Sequence, residues 1–268
     1  MNGASEHGTG LPLQSIAHDL WAAATQSLPI QPSARELGND VDAAYQVQDL
    51  LTLKSIWAGA AVSGHKVTSH RDLPCFGVLF DAMHHAGPDP LDCGHLIRPR
   101  VQVGVGFVVG EDLTGRSIDP TSAASVVSAV VPVVEVVDSR IATDSLEQVD
   151  VVADNAGAAR YVVGDLSPAP DLEQPLSARL ERDGKPAADD GPPIRPTNAF
   201  AWLTGSLRAL GLPLLAGELV LVGELTRSLP GADADWTGSL AGIGDVTVTT
   251  RLAAASWRRS HPNTRSYA

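Results

Sequence analysis

Residues 133–141 read Val-Val-Glu-Val-Val-Asp-Ser-Arg-Ile, a β-branched apolar run broken by one acid, Glu135. A stretch this rich in valine belongs inside a sheet. A carboxylate there loses its hydration, so it demands a cation, a metal or hydrogen-bond donors. The place to look for the partner is a second strand-like stretch, residues 100–109, Arg-Val-Gln-Val-Gly-Val-Gly-Phe-Val-Val. Its period of two puts Val101, Val103, Val105 and Phe107 on one face and Gln102, Gly104 and Gly106 on the other.

Length and charge narrow the classes. A chain of 268 residues buries a sizeable core, as one large domain or a domain with a small appendage. A formal net charge of −12 argues against nucleic acid as a partner, because phosphate binding needs clustered Lys and Arg. No apolar run reaches the ~20 residues that span a bilayer, and the N-terminus lacks a secretory pattern, so a cytoplasmic protein with no membrane partner is expected. The two cysteines, Cys75 and Cys93, match no zinc spacing and suggest no disulfide framework. Gly104-Val105-Gly106 is too short, and too deep in a strand, for a dinucleotide loop.

The periodicity predicts a helix over residues 13–28, stopped by Pro29 and Pro32. A second is predicted over 41–59, capped by Asp40 and burying Ala44, Val47, Leu50, Leu51 and Ile56. Residues 61–68 read as a strand, 68–74 as a polar loop and 76–83 as a strand or turn entering the core. Residues 87–93 read as a loop, and 120–131 as a helix that Pro132 ends. Strands are expected at 161–164, 176–180, 219–225 and 242–250. Asp183-Gly184 is expected to turn, and a helix capped by Thr197-Asn198 to run to Leu210.

Six segments, taken together, resemble a known family. They are Gly64-His65-Lys66-Val67, residues 74–80, residues 99–105, residues 133–141, Ala153-Asp154-Asn155-Ala156 and residues 195–199. In order and spacing the chain resembles the 2-oxopent-4-enoate hydratase and 4-oxalocrotonate decarboxylase family of the fumarylacetoacetate hydrolase superfamily, over roughly residues 12–250. The resemblance implies an α+β fold. A helical N-terminal region (1–60) would precede a mixed β-roll core (61–252), with a basic tail (253–268) after it. It also implies an oligomer acting on a small carbonyl substrate.

The departures shape the functional expectation. By resemblance, three carboxylates hold Mg²⁺ or Mn²⁺; the aligned positions here read Gln102, Gly104 and Glu135. A hard cation favours several oxygen ligands, so the expectation is a lost metal site and no cofactor, with Mg²⁺ or Mn²⁺ only under the conventional reading. Lys66 matches a family lysine near the substrate, or it pairs with Glu135. Cys75 replaces a family acid and is either a small core residue or a pocket wall. His70 is a candidate acid or base, or a solvated loop residue. Arg140 would hold a substrate carboxylate or Asp154. Val222 replaces a threonine whose hydroxyl, by resemblance, faces the substrate.

Three functions are therefore weighed. The first is a hydratase-like enzyme working without a metal, with Glu135, Lys66 and His70 catalytic, in isomerisation, cyclisation or water addition or loss. The second is a Mg²⁺-dependent hydratase or decarboxylase. The third is a catalytically silent partner subunit, which a filled pocket would indicate.

Overall fold

The computed structural model describes residues 12–143, 145–167, 176–189 and 195–252. The predicted leading helices form as α1 (Leu13–Gln26), the short α2 (Ala34–Leu37) and α3 (Val41–Trp57). The Asp40 carboxylate accepts the Ala43 N–H and caps α3. The buried face of α3 is Ala43, Ala44, Val47 and Gln48, so Ile56, expected inside, is an exposed residue one turn too far along.

The strands are β1 (Val62–His70), β2 (Leu73–Phe80), β3 (Leu91–Asp92), β4 (Arg100–Val109), β5 (Val127–Val137) and β6 (Ala158–Val163). They continue with β7 (Ala178–Arg182), β8 (Lys185–Ala188), β9 (Leu219–Val222), β10 (Leu229–Pro230), β11 (Ala234–Leu240) and β12 (Gly244–Arg251). One sheet runs β2-β1-β9-β4-β5-β6, with β10 added against β4; the other runs β3-β12-β11-β7-β8. Within the first, β1 and β9 are parallel, and β4 is antiparallel to both β9 and β5. Val101, Val103, Val105 and Phe107 of β4 share one core with Trp236, Val246 and Val248 of the second sheet. Each fully buried side chain of that size contributes about 1.5–3 kcal/mol as an upper estimate.

Three expectations change. Residues 68–74 are not a loop: β1 and β2 pair as far as His70 and Leu73, joined by Arg71 and Asp72, both at positive φ as a two-residue hairpin requires. Residues 120–131 hold only a 3-10 turn and α4 (Ala123–Val126) before β5 begins, because Val127, Val130 and Val131 pack better on a pleated surface. Pro132 thus lies inside β5. Its carbonyl accepts from Gly164, just past the end of β6, so its missing N–H faces that end and costs no bond within the β6 ladder.

Further along, α5 (Gln148–Ala153) carries a capping box between Glu147 and Asp150, and α6 (Pro196–Leu210) starts on Pro196 with Arg195 before it rather than Thr197-Asn198. The side chain of Asn155 accepts the Val78 N–H at 2.7 Å and donates to the Val78 carbonyl at 2.9 Å. The turn thereby stands in for a strand beside β2. The tail 253–268 lies outside the described residues. Among the described residues no helix is long and apolar enough to cross a membrane.

Candidate active site

Gln102 on β4 and Glu135 on β5 are directly paired across the ladder. Lys66, on β1, reaches over the end of the intervening β9. Its Nζ stands 2.6 Å from Glu135 Oε1, both side chains about 2% exposed, and Gln102 Nε2 donates to Glu135 Oε2 at 2.8 Å. The partner that Glu135 demanded is therefore a cation and an amide together. Gly223 leaves room for the amide–carboxylate contact: a Cβ there would stand 3.0 Å from both Gln102 Nε2 and Glu135 Oε2.

Above this floor opens a cleft of about 1120 Å³. Lys66, Gln102 and His70 line it, as do Arg98, Arg100, Asp138 and Glu224, with Ile97, Leu146 and Val151 as apolar wall. Asp138 accepts the backbone N–H groups of Ile97 and Arg98, at 3.0 and 2.6 Å, and so shapes the segment that carries both arginines. Arg100 Nε donates to Ser228 Oγ at 2.9 Å. His70 ends β1 with its Nε2 buried and without a partner among the described residues.

Five residues named from the sequence do not line the cleft: Glu135 lies beneath Lys66 and Gln102, and four others stand apart. Cys75 is fully buried among helix side chains, and burial pushes its thiol up to about 12, with Lys66 opposing and Glu224 adding to the rise; it stays protonated. Gly104 has no room for a side chain, because a Cβ would meet the Val222 carbonyl at 2.8 Å. Val222 itself is a core residue. Arg140 is committed to Asp154, to the Ala158 carbonyl and to the Asp154 carbonyl. Burial still holds the Asp154 carboxyl above its ordinary range against that arginine.

The sequence reading missed Arg98, Arg100, Asp138 and Glu224 as cleft residues. Glu224 was read as the continuation of a strand. In fact β9 stops at Val222, and Glu224 sits at φ +63°, with its Oε2 taking the Ser69 N–H at 3.1 Å and the Ser69 hydroxyl at 3.3 Å. The Gly-Glu dipeptide after the apolar run was the available signal.

No family model matches the chain. Over 228 residues it is 34% identical to the 2-keto-4-pentenoate hydratase of Paraburkholderia xenovorans (strain LB400), spanning 79% of this chain and 84% of that one. The chain belongs to the 2-keto-4-pentenoate hydratase family. Within this family it is also 31% identical over 254 residues to the TodF product hydratase of Pseudomonas putida (strain F1), covering 86% of this chain and 92% of that one. Its fold matches 4-oxalocrotonate decarboxylase from Pseudomonas putida G7 with a TM-score of 0.80 and 24% identity, over 89% of this chain and 97% of that one. Both the family and the α+β fold expected from the sequence hold, and the chain is an enzyme of the lyase type.

The expectation of no cofactor is overturned by the same comparison. The decarboxylase of this fold was solved with magnesium and adipate, and again with calcium and acetate. The donors of this chain, however, do not fit a three-carboxylate cradle. Both oxygens of Glu135 are engaged, Gln102 is neutral, and the space at Gly104 is taken by β9 backbone. Among the described residues no three His, Cys, Asp or Glu side chains are grouped to hold a metal.

Proposed function

We propose that this enzyme adds water to a 2-hydroxy-2,4-dienoic acid, through its 2-oxo tautomer, or removes it in reverse. The names of its relatives favour this chemistry over the isomerisation or cyclisation expected from the sequence, and the open cleft speaks against a silent subunit. The observation that carries the reading is the buried Lys66–Glu135–Gln102 group at the floor of that cleft.

An ammonium has three donors, and among the described residues Lys66 has Glu135 as its partner. Lys66 lines the cleft, where a C2 oxygen gains negative charge during enolisation; a donor fixed in a water-poor site stabilises that charge most. Glu135 holds the Lys66 ammonium in place. Arg98 and Arg100 give the rim the positive charge that suits a substrate carboxylate, and the Ile97–Leu146–Val151 wall suits its hydrocarbon part. The unpartnered His70 Nε2 supports a role at the mouth in moving the proton of the incoming water.

The test is turnover of 2-hydroxypenta-2,4-dienoate, followed by loss of dienol absorbance and by NMR of the 4-hydroxy-2-oxo acid, in chelator and in added Mg²⁺ or Mn²⁺. Formation of the hydrated acid is expected. Absence of product under every metal condition would remove the reading.

A further inference from the structure

Of the three carboxylates that line the cleft, Asp138 has both oxygens on backbone N–H groups and Asp154 is held by Arg140, which leaves Glu224. Glu224 follows Gly223, the residue packed on Glu135, Gln102 and Lys66, and it lines the same cleft as Lys66. Its backbone is pinned on both sides: the Gly223 N–H donates to the Val67 carbonyl and the Leu225 N–H to the Val103 carbonyl, both at 3.0 Å. Between them Glu224 takes a left-handed conformation, φ +63°, in which glycine or asparagine is the easy choice and a longer side chain is uncommon. Ser69 donates twice to Oε2. The hydrogen bonds to Glu224 among the described residues are on Oε2, and the residue is half-buried where it lines the cleft. An unfavourable backbone and a side chain braced at one oxygen in a cleft form a combination that stability alone does not select.

From this geometry we infer that Glu224 is a catalytic residue, the general base that exchanges a proton with C3 of a 2-oxo acid. This rests on the hydratase reading. The carboxylate takes a proton from C3; the C–H pair becomes the C2=C3 bond, and the carbonyl pair moves to the C2 oxygen, whose charge meets Lys66. In the hydration direction the water oxygen bonds at C4 and loses a proton, the C3=C4 pair moves into C2=C3 and the carbonyl pair to the C2 oxygen; protonated Glu224 then gives its proton to C3 as the carbonyl re-forms, and the proton lost by the water restores Glu224.

The test separates proton exchange from hydration. The full chain is incubated with 2-oxopentanoate in D₂O, which has no double bond to hydrate, and loss of the C3 proton signal is followed by NMR with and without Mg²⁺. Wild type should exchange, and Glu224→Gln and Glu224→Gly should each lose about 100-fold. Glu224→Gly suits the left-handed backbone, so its Tm should equal or exceed that of wild type, which separates lost chemistry from lost fold. A loss under tenfold in either folded variant, or no exchange by wild type, overturns the inference. Exchange that depends on Glu224 without any dienoate hydration would instead remove the hydratase reading and leave Glu224 as the base. Hydration with Glu224-independent exchange would do the reverse.

Discussion

Two buried ion pairs in this molecule look alike on paper and differ in what they leave free. Arg140–Asp154 is tied into the backbone: the guanidinium also binds two carbonyls, and Asp154 takes the Arg140 N–H and the Ser139 hydroxyl as well. Among the described residues Lys66–Glu135 has only the Gln102 amide added to it, and it forms the floor of an open cleft. A pair bonded largely to main chain holds backbone in place, whereas a pair with few further bonds can meet a ligand. The Arg140 pair is thus a clamp on the turn after β5, although Asp154 reaches the cleft wall, and the Lys66 pair is a working surface.

The widest separation between them should come from Lys66→Met. Leaving Glu135 buried and alone costs about 3–5 kcal/mol in urea unfolding, and kcat/KM on the dienoate should fall at least about 100-fold. Adding Glu135→Leu should return much of the stability, since no charge is then stranded, while activity stays lost. Recovery of activity in the double variant would end the distinction.

Arg140→Met should cost a similar ~3 kcal/mol, yet turnover per folded molecule should remain within about threefold of wild type. A loss of activity as large as that of Lys66→Met would show that the clamp is also part of the chemistry. The smallest effect concerns His65, which neighbours Lys66 on β1 but packs its ring edge-on to Phe76. Burial lowers its pKa to about 4, so the unfolded chain binds the extra proton below about 6.5. Stability therefore declines as pH falls, by up to about 2 kcal/mol between pH 6.5 and 5. His65→Gln should flatten that part of the curve and leave both pairs intact; an unchanged slope would assign the acid sensitivity to the pairs.

The parts of this arrangement that sequence could reveal are those governed by burial period. Alternating valines announced β4 and β5, and a lone acid among them announced that it needed a partner; Lys66 was named for that role. The helix read over residues 120–131 failed because small Ala and Ser residues carry no period, so the flanking valines decided the outcome. Strand β11, Ala-Asp-Trp-Thr-Gly-Ser-Leu, escaped notice because its alternation is masked by polar and small residues, although Trp236 anchors the core. Glu224 stayed hidden for another reason. Nothing in a local apolar run tells where backbone pairing passes from one neighbouring strand to another, and the positive φ that displays this carboxylate arises at that handover.

Gly104 shows how a position can be fixed by a neighbour's path. With the Val222 carbonyl where its first side-chain carbon would stand, even alanine is excluded unless β9 shifts sideways. Relatives with a larger residue there must route that strand differently, so the two features have to change as a set. A single reverting substitution at 104 would meet a wall before it met any chemistry, which makes this departure hard to undo one step at a time.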